Sequence, residues 1–187
     1  MVNSRGHRQF VERFPAKDQS SRMNKYFVAW WNVENLFSIE NDPNRHAWLE
    51  RYLGGELAGW DAAVLAMKIA QLSSVITRMN EGQGPDLLGV CEIENKEVLE
   101  QLVAAIDLPH RKYRVVHHNT DDKRGIDVAC IYDSKRLKTK TSEVFHHIIQ
   151  KRTATRDLLQ VNFCAEITSS RPKFPRPRMP PRLRSKP

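Results

Sequence analysis

Two short polar motifs, each placed directly after an apolar segment, contain the residues of this chain best suited to chemistry. Asn32 follows the first segment in AWWNVENLF, and Glu92 follows the second in LLGVCEIEN. A carboxylate at the end of an apolar strand is costly unless water, a hydrogen-bond donor or a cation receives it. Which of the three receives Glu92 is the first chemical question that the sequence poses.

Several other polar residues are weaker candidates. Glu34 and Glu94 lie just beyond the same two strand ends, where they either support a site or are simply solvated. The pairs at 117–118 and 146–147 are adjacent histidines in predicted strands, so each pair places one ring on each face and forms no chelate. Arg156 precedes a predicted strand, a position where arginine is usually solvated.

The elements that position these motifs alternate between strand and helix. Residues 26–31 form a continuous aromatic and β-branched run, which is typical of a strand buried on both faces. A polar loop follows, and HAWLERYL within it predicts a short helix. Residues 86–91 predict the next strand.

Two longer helices are predicted from their caps and their apolar spacing. Asp61 is a predicted N-cap, as is Asn95. The first helix should bury one side, formed by Val64, Leu65, Met67, Lys68, Leu72, Val75, Ile76 and Met79. The second should bury Val98, Leu99, Leu102, Val103 and Ile106.

The rest of the chain predicts strands, at 113–118, 126–132, 144–149 and 157–163. Strand, helix, strand, helix and then a run of strands favours an α/β fold, a mixed sheet with helices on one face. If the first two strands are parallel neighbours, Asn32 and Glu92 lie at the same edge of that sheet, where open sheets commonly place their sites.

Bulk properties narrow the classes of function. The 187 residues suffice for one domain with a core, and no apolar run of about 18 residues predicts a membrane span. The net charge of +8 is concentrated at the ends, with +7 in residues 171–187 and +3 in residues 1–22, so the remainder carries −2. Basicity therefore says little about what the folded part binds. The three separated cysteines, each in an apolar run, indicate buried reduced thiols in a cytoplasmic protein.

WNVENLF, CEIEN and RGIDVACIYD, in this order, resemble the endonuclease/exonuclease/phosphatase superfamily over residues 26–163. The resemblance implies a two-sheet, four-layer α/β sandwich and divalent-metal-dependent hydrolysis of a phosphoester, with a nuclease acting on DNA favoured. It further implies that Glu92 ligates Mg²⁺ or Mn²⁺, that Asn32 helps organise the metal and phosphate, and that Arg124 contacts the substrate.

The sequence also departs from this family. The His, Gly-Asp-x-Asn and terminal Asp-His segments with which the family activates water do not occur after Phe163. A Pro/Arg-rich segment with six prolines in its last 17 residues stands there instead. We therefore expect a partial domain at 23–165 corresponding to the N-terminal half of the sandwich, truncated or frameshifted after about residue 163 and lacking turnover. It should be flanked by a disordered or upstream extension at 1–22 and a disordered basic tail at 166–187.

Two other functions stay open. The apolar sheet face that a missing partner sheet leaves uncovered would mediate self-association or recruit a partner in a non-catalytic interaction fragment. The basic tail would alternatively make the chain a nonspecific binder of nucleic acid.

Overall fold

The computed structural model describes residues 25–53, 55–120, 126–149 and 157–165 of the chain. Its elements follow the predicted order, which confirms the α/β class. They are β1 (Val28–Leu36), α1 (Ala47–Leu53), α2 (Ala62–Arg78), β2 (Leu87–Ile93), α3 (Lys96–Ala104), β3 (Tyr113–His118), β4 (Asp127–Asp133), β5 (Leu137–Lys138), β6 (Val144–His147), β7 (Leu158–Val161) and β8 (Cys164–Ala165).

The main sheet has four strands in the order β1-β2-β4-β3. β1 runs parallel to β2, whereas β4 is antiparallel to both β2 and β3, so the sheet is mixed as predicted. Two further pairs, β5 with β8 and β6 with β7, form short antiparallel ladders. The parallel pairing of β1 and β2 brings the two candidate motifs to one edge of the sheet.

Helices α2 and α3 cover one face of this sheet and enclose the core with it. Asp61 caps α2 by accepting hydrogen bonds from Ala63 N and Val64 N, and the Asn95 side chain caps α3 by accepting one from Val98 N. Both predicted caps are confirmed. The fully buried residues of this core include Leu36, Ile76, Leu88, Val90, Ile93, Val98, Leu99, Leu102 and Ile131.

The buried side of α2 is rotated relative to the prediction. Met67 and Val75 were expected in the core but are 60% and 37% exposed. The buried apolar stripe instead runs along the helix through Leu65, Ile69, Leu72 and Ile76. The apolar residues of α2 cover a wider arc than the surface that contacts the sheet. Packing against the sheet therefore decides which of them are buried, and the sequence pattern does not specify this.

The other face of the sheet is open along β1. Val28 and Trp30 are each 64% exposed, so the prediction of a strand buried on both faces is wrong for this side. The reason is that β1 is an edge strand and no described element packs over its outer face. Trp30 lies against Gly89 of β2, where an added Cβ would come within 2.3 Å of Trp30 Cε3.

The β6–β7 hairpin lies over the same face of the sheet as Trp30, but at the end formed by β3 and β4. The rings of His118 and His146 stack with centroids 3.9 Å apart, and the rings of Tyr132 and Phe163 lie 5.1 Å apart. The hairpin therefore forms the beginning of a second layer over β3 and β4, while β1 remains uncovered by described residues.

The cysteines only partly match the prediction of three buried thiols. All three are free, but Cys91 alone is buried, Cys130 is half-buried and Cys164 is exposed. Burial raises the pKa of Cys130 to about 11. Cys164 lies on the short edge pair β5–β8, where no core forms around it.

Some predictions fall outside the described residues. These include the expected disorder of residues 1–22 and 166–187, and the roles of Arg124 and Arg156. Within the part of the chain that the structure describes, no helix has the length and apolar character needed to cross a membrane.

Candidate metal-binding edge of the sheet

Asn32 and Glu92 lie at the same edge of the sheet, on neighbouring strands. Asn32 is the pairing partner of Cys91, the residue directly before Glu92. This register follows from the parallel alignment of two apolar runs of similar length, from Val28 opposite Leu87 onward. The parallel arrangement expected from the sequence therefore does bring the two predicted site residues together.

The strands do not stop at these residues, contrary to the prediction. Pairing resumes with Leu36 opposite Ile93, so three residues of β1 face Glu92 alone. On its other side, Glu92 is the single extra residue between the pairs Cys91–Val128 and Ile93–Asp127. Glu92 thus occupies a β-bulge, a feature that redirects side chains and is common next to active sites. Leu36 and Ile93 are buried and pair with each other, so both strands continue past the bulge.

The bulge holds its residues in an unfavourable backbone conformation. Glu34, Asn35 and Glu92 have φ angles of 56°, 62° and 67°. This left-handed region costs a residue other than glycine about 1–2 kcal/mol. Strain of this kind persists only where the surrounding structure enforces it, and it is concentrated at functional sites.

Asn32 itself stabilises the start of the bulge. Its Oδ1 accepts a hydrogen bond from Glu34 N at 2.8 Å, while the side chain remains exposed. The amide oxygen thus serves the turn, as strand-end asparagines often do.

Glu94 is buried and paired, so it is not simply solvated, which was one of the two alternatives for this residue. Its side chain is 3% exposed and its Oε1 lies 2.8 Å from Arg45 Nε. Oε2 accepts hydrogen bonds from Ser38 N at 2.6 Å and from Arg45 Nη2 at 3.1 Å. Burial opposes the charge of Arg45, but the Glu94 carboxylate outweighs it and raises the arginine pKa. Glu94 therefore fastens the loop after β1 to the end of β2.

A shallow cleft of about 220 Å³ lies beside Asn32, between β1 and α2. Lys68 lines it and donates a hydrogen bond from Nζ to Glu34 O at 3.1 Å. The sequence placed Lys68 on the apolar side of α2 by its spacing and assigned it no role. Lys68 is the cationic residue among those that line this cleft together with Asn32.

The two histidine pairs behave as their strand positions predict. His117 points to the helix side of the sheet, where its Nε2 lies 3.0 Å from Asp127 Oδ2, and His118 points to the other side and stacks on His146. The rings of each pair therefore do not converge on one ligand.

A sequence model described as that of the Endonuclease/Exonuclease/phosphatase family matches residues 27–174. The chain belongs to the endonuclease/exonuclease/phosphatase family. This family consists generally of divalent-metal-dependent phosphoester hydrolases. No curated protein and no solved structure matches the chain.

The described residues fit only part of the metal site that the family implies. Glu92 and Asn32 offer a carboxylate and an amide oxygen, the donors that Mg²⁺ and Mn²⁺ prefer. Among the residues that the structure describes, no group of three or more His, Cys, Asp or Glu side chains is placed to hold a metal ion. Water and substrate oxygens can complete the shell of a cation bound through one or two carboxylates, so the donor chemistry is compatible with a cation at Glu92.

Proposed function

We propose that this chain carries part of a Mg²⁺- or Mn²⁺-dependent phosphodiesterase site of the nuclease type, namely the part that contains Glu92. The observation that carries the proposal is the register of β1 and β2, which sets Asn32 beside the strained bulge at Glu92. In this proposal Glu92 holds the cation, Asn32 orients the site, and Arg124 contacts the substrate phosphate. When bound, the cation neutralises charge on the phosphorus oxygens.

We further propose that the chain does not turn over substrate by itself. Hydrolysis requires a group that orients or deprotonates the attacking water. The two histidines of β3 do not converge on the Asn32–Glu92 edge, since His117 lies beside Asp127 and His118 stacks on His146. The proposal is supported by this placement and by the absence of Gly-Asp-x-Asn and Asp-His sequences from the chain.

Mn²⁺ binding, measured by electron paramagnetic resonance, tests the first proposal without requiring turnover. We expect Glu92→Gln to weaken Mn²⁺ binding at least tenfold, because it removes the charge that holds a hard cation. Glu81→Gln is the matched control, since Glu81 is also a left-handed glutamate (φ 56°) but is exposed in the turn after α2. Equal Mn²⁺ affinity in the wild-type and Glu92→Gln proteins would contradict the assignment of Glu92.

Hydrolysis of a chromogenic phosphodiester in Mg²⁺ or Mn²⁺ tests the second proposal. We expect no rate above that of the Glu92→Gln protein. A metal-dependent rate that disappears in Glu92→Gln would show that the chain is an active hydrolase and would refute the proposed lack of turnover.

The open face of β1 supports one further candidate function, a module that associates through this face. Val28 and Trp30 together present exposed apolar surface on an edge strand, which is a typical site of association. We expect sedimentation velocity to detect self-association that Trp30→Glu abolishes, while Met67→Glu, on the exposed side of α2, leaves it intact. A monodisperse wild-type monomer would rule out self-association through this face.

A further inference from the structure

A second cleft lies beyond the bulge, between α1 and the start of α3, and has a volume of about 380 Å³. We call it the Trp48 cleft. The residues that line it are Asn44, Arg45, His46, Trp48, Leu49, Glu94, Asn95, Asn119, Thr120 and Asp127.

The charged groups of the Trp48 cleft are engaged with one another. Arg45 is paired with Glu94, and each of these side chains is at most 3% exposed. The Asp127 carboxylate accepts hydrogen bonds from Thr120 N at 2.9 Å and from Thr120 Oγ1 at 2.8 Å, and it faces His117. Arg45 is therefore not available to a phosphate, and both carboxylates already accept hydrogen bonds, so the floor of the cleft favours a neutral ligand.

The remaining groups of the cleft combine a ring face with amide edges. Trp48 is 37% exposed, and the His46 ring lies 5.9 Å from it, tilted by 48°. Asn44 and Asn119 are exposed, and the amide of Asn95 is oriented by its hydrogen bond from Val98 N at 2.9 Å. A flat aromatic surface next to several carboxamides matches the needs of an unpaired nucleobase, which stacks on one face and forms hydrogen bonds along its edge.

The Trp48 cleft lies next to the proposed metal position, because residues that line it are close to Glu92 in the sequence and in the sheet. Glu94 and Asn95 follow Glu92 by two and three residues, and Asp127 pairs with Ile93 across the bulge. A nucleic-acid strand with one phosphate at Glu92 therefore has a neutral, aromatic cleft within reach for a neighbouring base.

We propose that the Trp48 cleft binds an unpaired nucleobase, so that the substrate is single-stranded or locally unpaired nucleic acid. This inference rests on the proposed nuclease-type function and narrows its substrate class. A phospholipid or inositol headgroup presents no π face for Trp48, and bases within an intact duplex are stacked on one another and do not reach the cleft.

Fluorescence anisotropy with two labelled 12-mers tests the proposal in Mg²⁺, which the proposed phosphate position at Glu92 requires. One probe is oligo-dT, and the other is an abasic strand with the same phosphates. We expect the wild-type protein to prefer oligo-dT, and Trp48→Leu to weaken oligo-dT binding about five- to hundredfold with unchanged binding of the abasic strand. Trp48→Phe keeps a ring and should retain most of the preference. Phe145→Leu is the matched control, because Phe145 is 41% exposed on the β6–β7 hairpin.

A second substitution guards against loss of folding in the Trp48 variants. Asn119 is exposed, so Asn119→Ala should leave the unfolding transition unchanged while reducing the preference for oligo-dT severalfold. Equal binding of both probes by the wild-type protein would overturn the proposal and indicate binding through basic segments such as residues 171–187. Equal oligo-dT affinity in the wild-type, Trp48→Leu and Asn119→Ala proteins would overturn it as well.

The outcome separates this inference from the proposed function. If Glu92→Gln loses Mn²⁺ binding but Trp48→Leu keeps the preference for oligo-dT, only the base-binding inference fails. If Trp48→Leu loses that preference while Mn²⁺ binding is independent of Glu92, the cleft binds bases and the proposed metal role of Glu92 fails.

Discussion

The two ends of β2 carry acidic residues in opposite situations. Asp86, directly before the strand, is 1% exposed and accepts hydrogen bonds from Phe27 N at 2.7 Å and from Arg136 Nη1 at 2.7 Å, with Arg111 also bound to its Oδ1. Glu92, near the other end, is half-exposed and held at a φ of 67°. The first acid stabilises the fold, whereas the second is kept in a strained position.

This difference distinguishes acidic residues that stabilise the fold from one that is a candidate for binding. The acids before β2 and at the end of β4 form one buried network with Arg111. Burial opposes the charge of Asp133, but backbone hydrogen bonds from Lys135 and Lys112 and the nearby Arg111 outweigh it and lower the pKa of that carboxyl. Such a network is fully used by the fold. At the opposite edge Glu34, Asn35 and Glu92 are instead held in the left-handed region, and strain of this kind is concentrated at functional sites.

Removing the charge of Asp86 should have the largest effect. Asp86→Asn leaves buried Arg111 with Asp133 as its remaining carboxylate and takes one partner from Arg136, which is 37% exposed, so we expect it to lower the free energy of unfolding by about 3 kcal/mol. Urea denaturation measures the change. Asp61→Asn is the control, because asparagine also caps helices well and should cost only a few tenths of a kcal/mol. Similar losses in both variants would show that the network contributes little.

Glu94→Gln should have an intermediate effect on stability and none on the metal. Arg45 retains the carbonyl oxygens of Ser38, Ile39 and Glu40 as acceptors, so we expect a loss of about 1.5–3 kcal/mol rather than the full cost of an isolated buried charge. Thermal unfolding and Mn²⁺ binding are measured on the same protein. Loss of Mn²⁺ affinity in folded Glu94→Gln, with Glu92→Gln unaffected, would exchange the roles assigned to the two glutamates.

Glu92→Gly should have the smallest effect on stability, and with the opposite sign. Glycine relieves the left-handed strain but loses more chain entropy on folding, so we expect a net gain of roughly 0.5–1 kcal/mol together with loss of Mn²⁺ binding. Glu81→Gly, at a φ of 56°, should gain similar stability and keep Mn²⁺ binding. A marked loss of stability in Glu92→Gly alone would mean that this carboxylate, like Asp86, serves the fold.

Much of the fold followed from local patterns that need few long-range contacts. The caps at Asp61 and Asn95 and the strand at 113–118 were predicted correctly, because side-chain capping and apolar runs act within a few residues. The buried stripe of α2 and the exposure of Trp30 were not, since they depend on which surfaces meet. The different uses of Glu92 and Glu94 were likewise left open, since the partner that distinguishes Glu94 is Arg45, 49 residues away.

The sequence by itself determined the family, the order of elements and the pairing of Asn32 with Glu92 as site candidates, because these depend on motifs and on strand and helix periodicity. Only the tertiary structure decided that both strands continue past these residues, that Glu92 sits in a bulge, and that Trp48, Asn95 and Asn119 line one cleft. The physical reason is that register shifts and clefts arise where distant segments pack together. The buried anchors Leu36 and Ile93 carry the pairing beyond the bulge, and no local pattern around Glu92 encodes that contact.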